Sequence, residues 1–176
     1  TTWIDITSSV TGTTVSYIDS TLTSSTTIQM RVLDAASNAG VANTKAIVID
    51  TTAPTTTVNI TAISTDSGTA GDFITNDNNG LTISATLSAA LVSGEKLMYS
   101  KDNGTTWIDI TSSVTGTTVS YIDSTLTSST TIQMRVLDAA SNAGVADSQA
   151  IAIVIDTTAP TLTISDNIST TTATTA

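Results

Sequence analysis

The chain has 176 residues, of which 11% are charged, with 15 acidic against 5 basic side chains, no cysteine and no histidine. That balance excludes phosphate recognition by Lys and Arg clusters, so nucleic acid is not an expected partner. The missing residue types exclude disulfides, thiolate metal sites, the usual zinc ligands and Ser-His or Cys-His nucleophile pairs.

No apolar run approaches the ~20 residues of a membrane span, and no signal peptide is visible. The chain begins mid-pattern, so the missing signal says nothing about secretion. Glu95 is the only glutamate, and every other acidic residue is Asp. Short carboxylates suit turns and rigid ligand positions.

In chain order, the first feature is a repeat. Residues 1–42, TTWIDITSSVTGTTVSYIDSTLTSSTTIQMRVLDAASNAGVA, recur unchanged at 105–146, an offset of 104 residues. NTKAIVID at 43–50 corresponds to DSQAIAIVID at 147–156, two residues longer, and both run into DTTAPT. Such a period marks a tandem array. With Asp-Thr-Thr-Ala-Pro as an extended linker, 1–50 is the C-terminal half of a repeat, 51–156 a complete one, and 157–176 the N-terminal strand of the next.

Past the linker comes DSGTAGDFITNDN, Asp66 to Asn78, with three carboxylates, two amides and two glycines. Such residues are ordinary turn formers. They also supply the oxygens that a hard cation such as calcium wants. EF-hand spacing is missing, since Gly71 stands at the sixth position of the loop but no Glu follows at the twelfth.

Leu81, Ile83, Ala85 and Leu87 then alternate with Thr82, Ser84, Thr86 and Ser88. The same period of two returns at Ile132, Met134 and Val136, and at Ile151, Ile153 and Ile155. It marks strands with one buried and one wet face. Asn103-Gly104 between apolar runs signals a hairpin, and Trp107 is read as a core anchor. Short strands with regular turn signals predict an antiparallel β-sandwich of about seven strands. Nothing shows helical periodicity.

IDTTAP at the boundary, SGTAGDFITNDN, YSKDNGTTW and RVLDAASNAG together resemble the bacterial immunoglobulin-like repeats of very large adhesins exported by type I systems of Gram-negative bacteria. The resemblance covers the complete repeat and, by identity, the preceding half. It implies an all-β, immunoglobulin-like sandwich outside the cell, acting as a calcium-stiffened extender that holds an adhesive tip away from the surface, and not an enzyme. Where many relatives carry Gly in an Asp-Ala-Ala-Gly-Asn turn, this chain has Ser37 and Ser141.

Strand parity in a seven-strand sandwich puts the 66–78 loop at the end where the last strand leaves through Asp156. The Asp138 to Asn142 turn falls at the other end, near Asp50. The candidate calcium ligands are Asp66, Asp72, Asn76, Asp77, Asn78 and Asp156 at the trailing end. At the leading end they are Asp50, Asp138 and Asn142, with Asp34 and Asn38 the copies in the preceding half. The partners expected are neighbouring repeats of the same chain.

Asp102 is read as a turn residue, and Asp109 and Asp123 as solvent-facing. Trp107, Tyr99 and Tyr121 offer an alternative, a sugar-binding face on a ligand-binding adhesive module. A further alternative is a self-assembling filament, in which open sheet edges of the leading half accept strands from another chain.

Overall fold

The computed structural model describes residues 2–155 and Leu162; Asp156 and the rest of the strand expected at 157–176 lie outside the described residues. After a 3-10 turn at Thr7–Ser9 come β1 (Val10–Thr11), β2 (Thr14–Val15), β3 (Thr26–Met30) and β4 (Asn43–Ile47). An extended linker then leads to β5 (Val58–Ile63), β6 (Ile74–Thr75), β7 (Leu81–Leu87), β8 (Lys96–Ser100) and β9 (Ile108–Asp109). A second 3-10 turn, Thr111–Ser113, precedes β10 (Val114–Thr115), β11 (Thr118–Asp123), β12 (Thr130–Leu137) and β13 (Asp147–Ile153).

β10, β11, β7 and β5 make one sheet, in that order, and β6, β13, β12, β8 and β9 make a second. Their inner faces enclose one apolar core, as in a β-sandwich. The architecture departs from the expected pattern in two ways. The segment from 58 to 153 holds nine strands instead of about seven, because β6, β9 and β10 are two-residue pieces with too little alternation to be read. The sandwich is also not wholly antiparallel. The chain crosses from one sheet to the other between β5 and β6, and β6 then runs parallel to β13.

Period-two alternation builds the core. Leu81, Ile83, Ala85 and Leu87 on β7 point inward against Leu97 and Tyr99 on β8 and Ile132, Met134 and Val136 on β12, all buried. Each large apolar side chain so enclosed contributes about 1.5–3 kcal/mol. Trp107 is not the core anchor. It is half-buried, and its ring packs under the Arg135 guanidinium at 3.9 Å while Nε1 donates to Gly104 O. Tyr99, 1% exposed, takes the core position instead.

The repeated block separates sequence from context. Val119, Met134 and Val136 are 0%, 0% and 1% exposed, whereas their identical counterparts Val15, Met30 and Val32 are 44%, 42% and 79% exposed. The local elements are alike, with the same 3-10 turn and strand pairs in both copies. Burial differs because β7 and β8 lie alongside β11 and β12 of the second copy.

The hairpin at Asn103-Gly104 forms, with Tyr99 paired to Ile108 and both turn residues at positive φ, 56° and 83°. Asn and Gly are the residues that tolerate that backbone, and they stand inside the loop closed by the Tyr99–Ile108 pair instead of forming a two-residue turn. Asp102 is a turn residue as expected: Oδ1 accepts from the Thr106 N–H and the Ser100 hydroxyl, and Oδ2 from the Thr106 hydroxyl.

Candidate functional site

The loop between β5 and β7 is folded onto the trailing end of β13. Ala152 N–H donates to Phe73 O at 3.1 Å and Val154 N–H to Thr75 O at 2.8 Å, on either side of the β6 pairing. Ala152 and Ile153 stand in the stretch where this copy is two residues longer than the first. Thr75, fully buried, ties the loop together: its hydroxyl donates to Thr65 O and accepts from Asp77 N–H. Ser67 does the same from the other side, its hydroxyl accepting from Asn76 N–H.

This closure needs unusual backbone. Thr65, Gly68, Gly71, Phe73 and Gly80 all have positive φ. Phe73 at 59° is the costly one, because a bulky side chain is rarely left-handed. Its ring is buried in the core, which compensates.

Within the loop, Asp66 Oδ2 accepts from Gly71 N–H at 2.6 Å, Asp72 Oδ1 from Ile74 N–H at 3.0 Å, and Asp77 Oδ1 from Asn79 N–H at 2.9 Å. Asp66 Oδ1 is buried without any hydrogen-bond partner. No hydrogen bond is made by the side chains of Asn76 or Asn78 among the described residues. Asp156 lies outside the described residues.

The leading end is built around Asp138. Its Oδ1 accepts from Ala140 and Asn142 N–H, and its Oδ2 from the Asn142 side-chain amide at 2.8 Å. These bonds hold the carboxyl below its usual range. The same Asn142 Nδ2 donates to Asp50 O at 3.1 Å, so the linker is fastened to the turn. The Asp50 carboxylate itself turns back to Thr52 N–H. Pro54 lies beside Gly144, close enough that a Cβ there would sit 3.4 Å from Pro54 Cγ.

Asp34 and Asn38 repeat the turn with the same internal bonds. Ser37 and Ser141 hold the left-handed backbone, φ 66° and 70°, that glycine would adopt more easily.

Asp50, Asp138 and Asn142 are thus brought together, and Asp66, Asp72 and Asp77 share one closed loop. Among the described residues, however, no three carboxylates converge into a cage. The aspartate bias has a structural cause as well: every aspartate among the described residues accepts a backbone N–H, mostly from two positions on, as at Asp5, Asp19, Asp109 and Asp123. A glutamate, one methylene longer, does not close these turns as well.

Asp109 is exposed as expected and pairs with Lys96 at 3.1 Å. Asp123 is not solvent-facing. It is 5% exposed, with Oδ1 accepting from the Thr125 N–H and hydroxyl and Oδ2 from the Tyr99 hydroxyl. The missed signal was parity, since Asp123 falls on the same face as Val119 and Tyr121.

Compared with protein-family models, with curated proteins and with solved structures, the chain finds no match.

Proposed function

We propose that the chain is a stretch of a structural extender, a tandem array of immunoglobulin-like sandwiches with a repeat of about 104 residues that sets an adhesive tip at a distance from a cell surface. In this reading residues 51–156 are one repeat, 1–50 the end of another and 157–176 the start of a third. The observation that carries it is the bridge made by Asn142, which joins Asp138 to the backbone of Asp50. A tether between linker and domain serves reach, because it restricts the angles a short linker would otherwise explore.

Calcium completes the joint. Asp66 Oδ1, a buried acceptor without a donor, is the kind of atom a hard cation satisfies. Asp72, Asp77 and the amides of Asn76 and Asn78 stand in the same loop, beside the strand that leads to Asp156. The next repeat would bring its counterparts of Asp138 and Asn142 to that end. With a net charge of -10 the carboxylates repel when unliganded, and a cation held from both sides stiffens the junction.

Calorimetric calcium titration of two tandem copies of residues 51–156 tests this. The expected result is binding in the range of ~10⁻⁴ to 10⁻³ M, weakened by Asp66→Asn. A wild-type pair of repeats that gives no calcium heat would sink the metal part of the proposal.

A further inference from the structure

A cavity of about 310 Å³ opens on the flank of the sandwich, on the side where β9 and β10 close the two sheets. It exists because β10 is short. It pairs only with Thr118 and Val119 of β11, leaving Ser120–Asp123 without a strand on that side. Ile108 and Ile122, 48% and 70% exposed, flank the opening, and the Tyr121 ring lines the wall at 5.0 Å from Tyr99.

The polar lining is balanced. Asp123 supplies one buried carboxylate. Lys101 supplies one ammonium, which donates to the Thr125 hydroxyl at 2.5 Å and has no carboxylate within ion-pair distance among the described residues. The Tyr121 hydroxyl makes no hydrogen bond to any described residue. Ser124 adds a hydroxyl that both donates and accepts, and Thr106, whose proton goes to Asp102 Oδ2, adds an acceptor.

We propose that this cavity is a binding site for a single neutral pyranose. A sugar ring offers hydroxyls of both polarities to such a lining and an apolar C–H face to Tyr121 and the isoleucines. A purely apolar ligand would strip water from Lys101 and Asp123 without replacing it. An anionic sugar would meet the Asp123 carboxylate and a chain of net charge -10. The volume is at the small end for ligand sites, enough for one ring.

Apart from Tyr99 and Lys101, every residue lining the cavity belongs to the block that recurs at 1–42. A repeat whose first half supplies that tyrosine and lysine carries the cavity again. A row of weak sites gains avidity by multivalency, without any one of them being tight. The site does not depend on calcium and stands apart from the extender reading.

Amide-resolved NMR titration of the whole chain with glucose, galactose and mannose, and with glucuronate as the charged comparison, decides the matter. For at least one neutral hexose, saturable shifts are expected at Lys101, Tyr121 and Ile122, with a dissociation constant on the order of 1 mM. Lys101→Met and Ile122→Ser should each weaken it roughly fivefold while the amide spectrum elsewhere stays unchanged. No saturable shift with any of the three hexoses would overturn the proposal. So would tighter binding of glucuronate, or shifts that persist undiminished in both variants.

Discussion

The Tyr99 hydroxyl on β8 donates to Asp123 Oδ2 on β11 at 3.1 Å, a buried polar bond that ties one sheet of the sandwich to the other. Removing the donor leaves a buried carboxylate short of a partner, so Tyr99→Phe should cost about 1–3 kcal/mol in urea unfolding. Asp123→Ala should cost at least as much. A Phe variant as stable as the wild type would show that water replaces the phenol freely.

Burial, then the Asp123 charge, push the Tyr99 phenol upward from its ordinary value. A raised folded pKa contributes stability that is complete below the unfolded value of about 10 and is lost as pH rises beyond it. Alkaline unfolding should therefore begin near that pH, and the Tyr99→Phe variant should show a shallower alkaline limb.

At acid pH the signs reverse. The Thr106 hydroxyl and N–H, then Ser100, lower Asp102 to about 2, and turn bonds also lower Asp5, Asp19, Asp34, Asp109 and Asp138. Depressed carboxyls stabilise the fold above their unfolded value of about 4 and cease to do so as pH falls through the folded values. Thermal melts should lose midpoint between pH of about 4 and 2. A midpoint that stays flat over that window would mean the turns hold without ionised aspartate.

Gly80 sits at φ +95°, where a Cβ would lie 2.5 Å from Ser124 Cα and 2.8 Å from Asp123 O. The obstacle is backbone, which cannot step aside, so Gly80→Ala should lose about 2–3 kcal/mol. Gly116, at φ +62° with nothing within 4 Å, meets only the backbone preference. Gly116→Ala should lose about 1 kcal/mol, and equal losses at the two positions would refute the steric account.

Asn142→Ala removes the bonds to both Asp138 and Asp50 O. The expected cost is about 1–2 kcal/mol, with faster protease cleavage between Asp50 and Thr55. Asn38→Ala, which removes only the internal bond to Asp34, should leave that cleavage rate unchanged.

Much of this arrangement was legible in residue order. The period of two on β7 and β12 gave the inward faces, and Asn103-Gly104 gave the hairpin, because both signals depend on neighbours in sequence. Trp107 and Asp123 misled for the opposite reason: what an indole or a carboxylate does in a sandwich depends on which sheet passes over it. Trp107 found Arg135 outside the core, and Asp123 found Tyr99 within it. The exposed Val32 and buried Val136, identical in local sequence, make the same point.

Loop 66–78 was legible as oxygen-rich, but not its closure on β13, which rests on Thr75, Phe73 and the stretch holding Ala152 and Ile153. The aspartate bias was legible as a choice between turns and ligand positions; most described aspartates close a local turn, while Asp147 reaches across the chain to Ile60 N–H and Asp66 keeps one oxygen without a partner.

Small-angle X-ray scattering of three tandem copies of residues 51–156, first in millimolar calcium and then in excess chelator, tests the extender most directly. At roughly 35 Å per repeat, the calcium form should reach about 105 Å. Chelation should shorten the maximum dimension or broaden the ensemble. A profile that does not change on chelation would contradict a calcium-stiffened joint and leave the oxygens of Asp66 to Asn78 as turn residues alone.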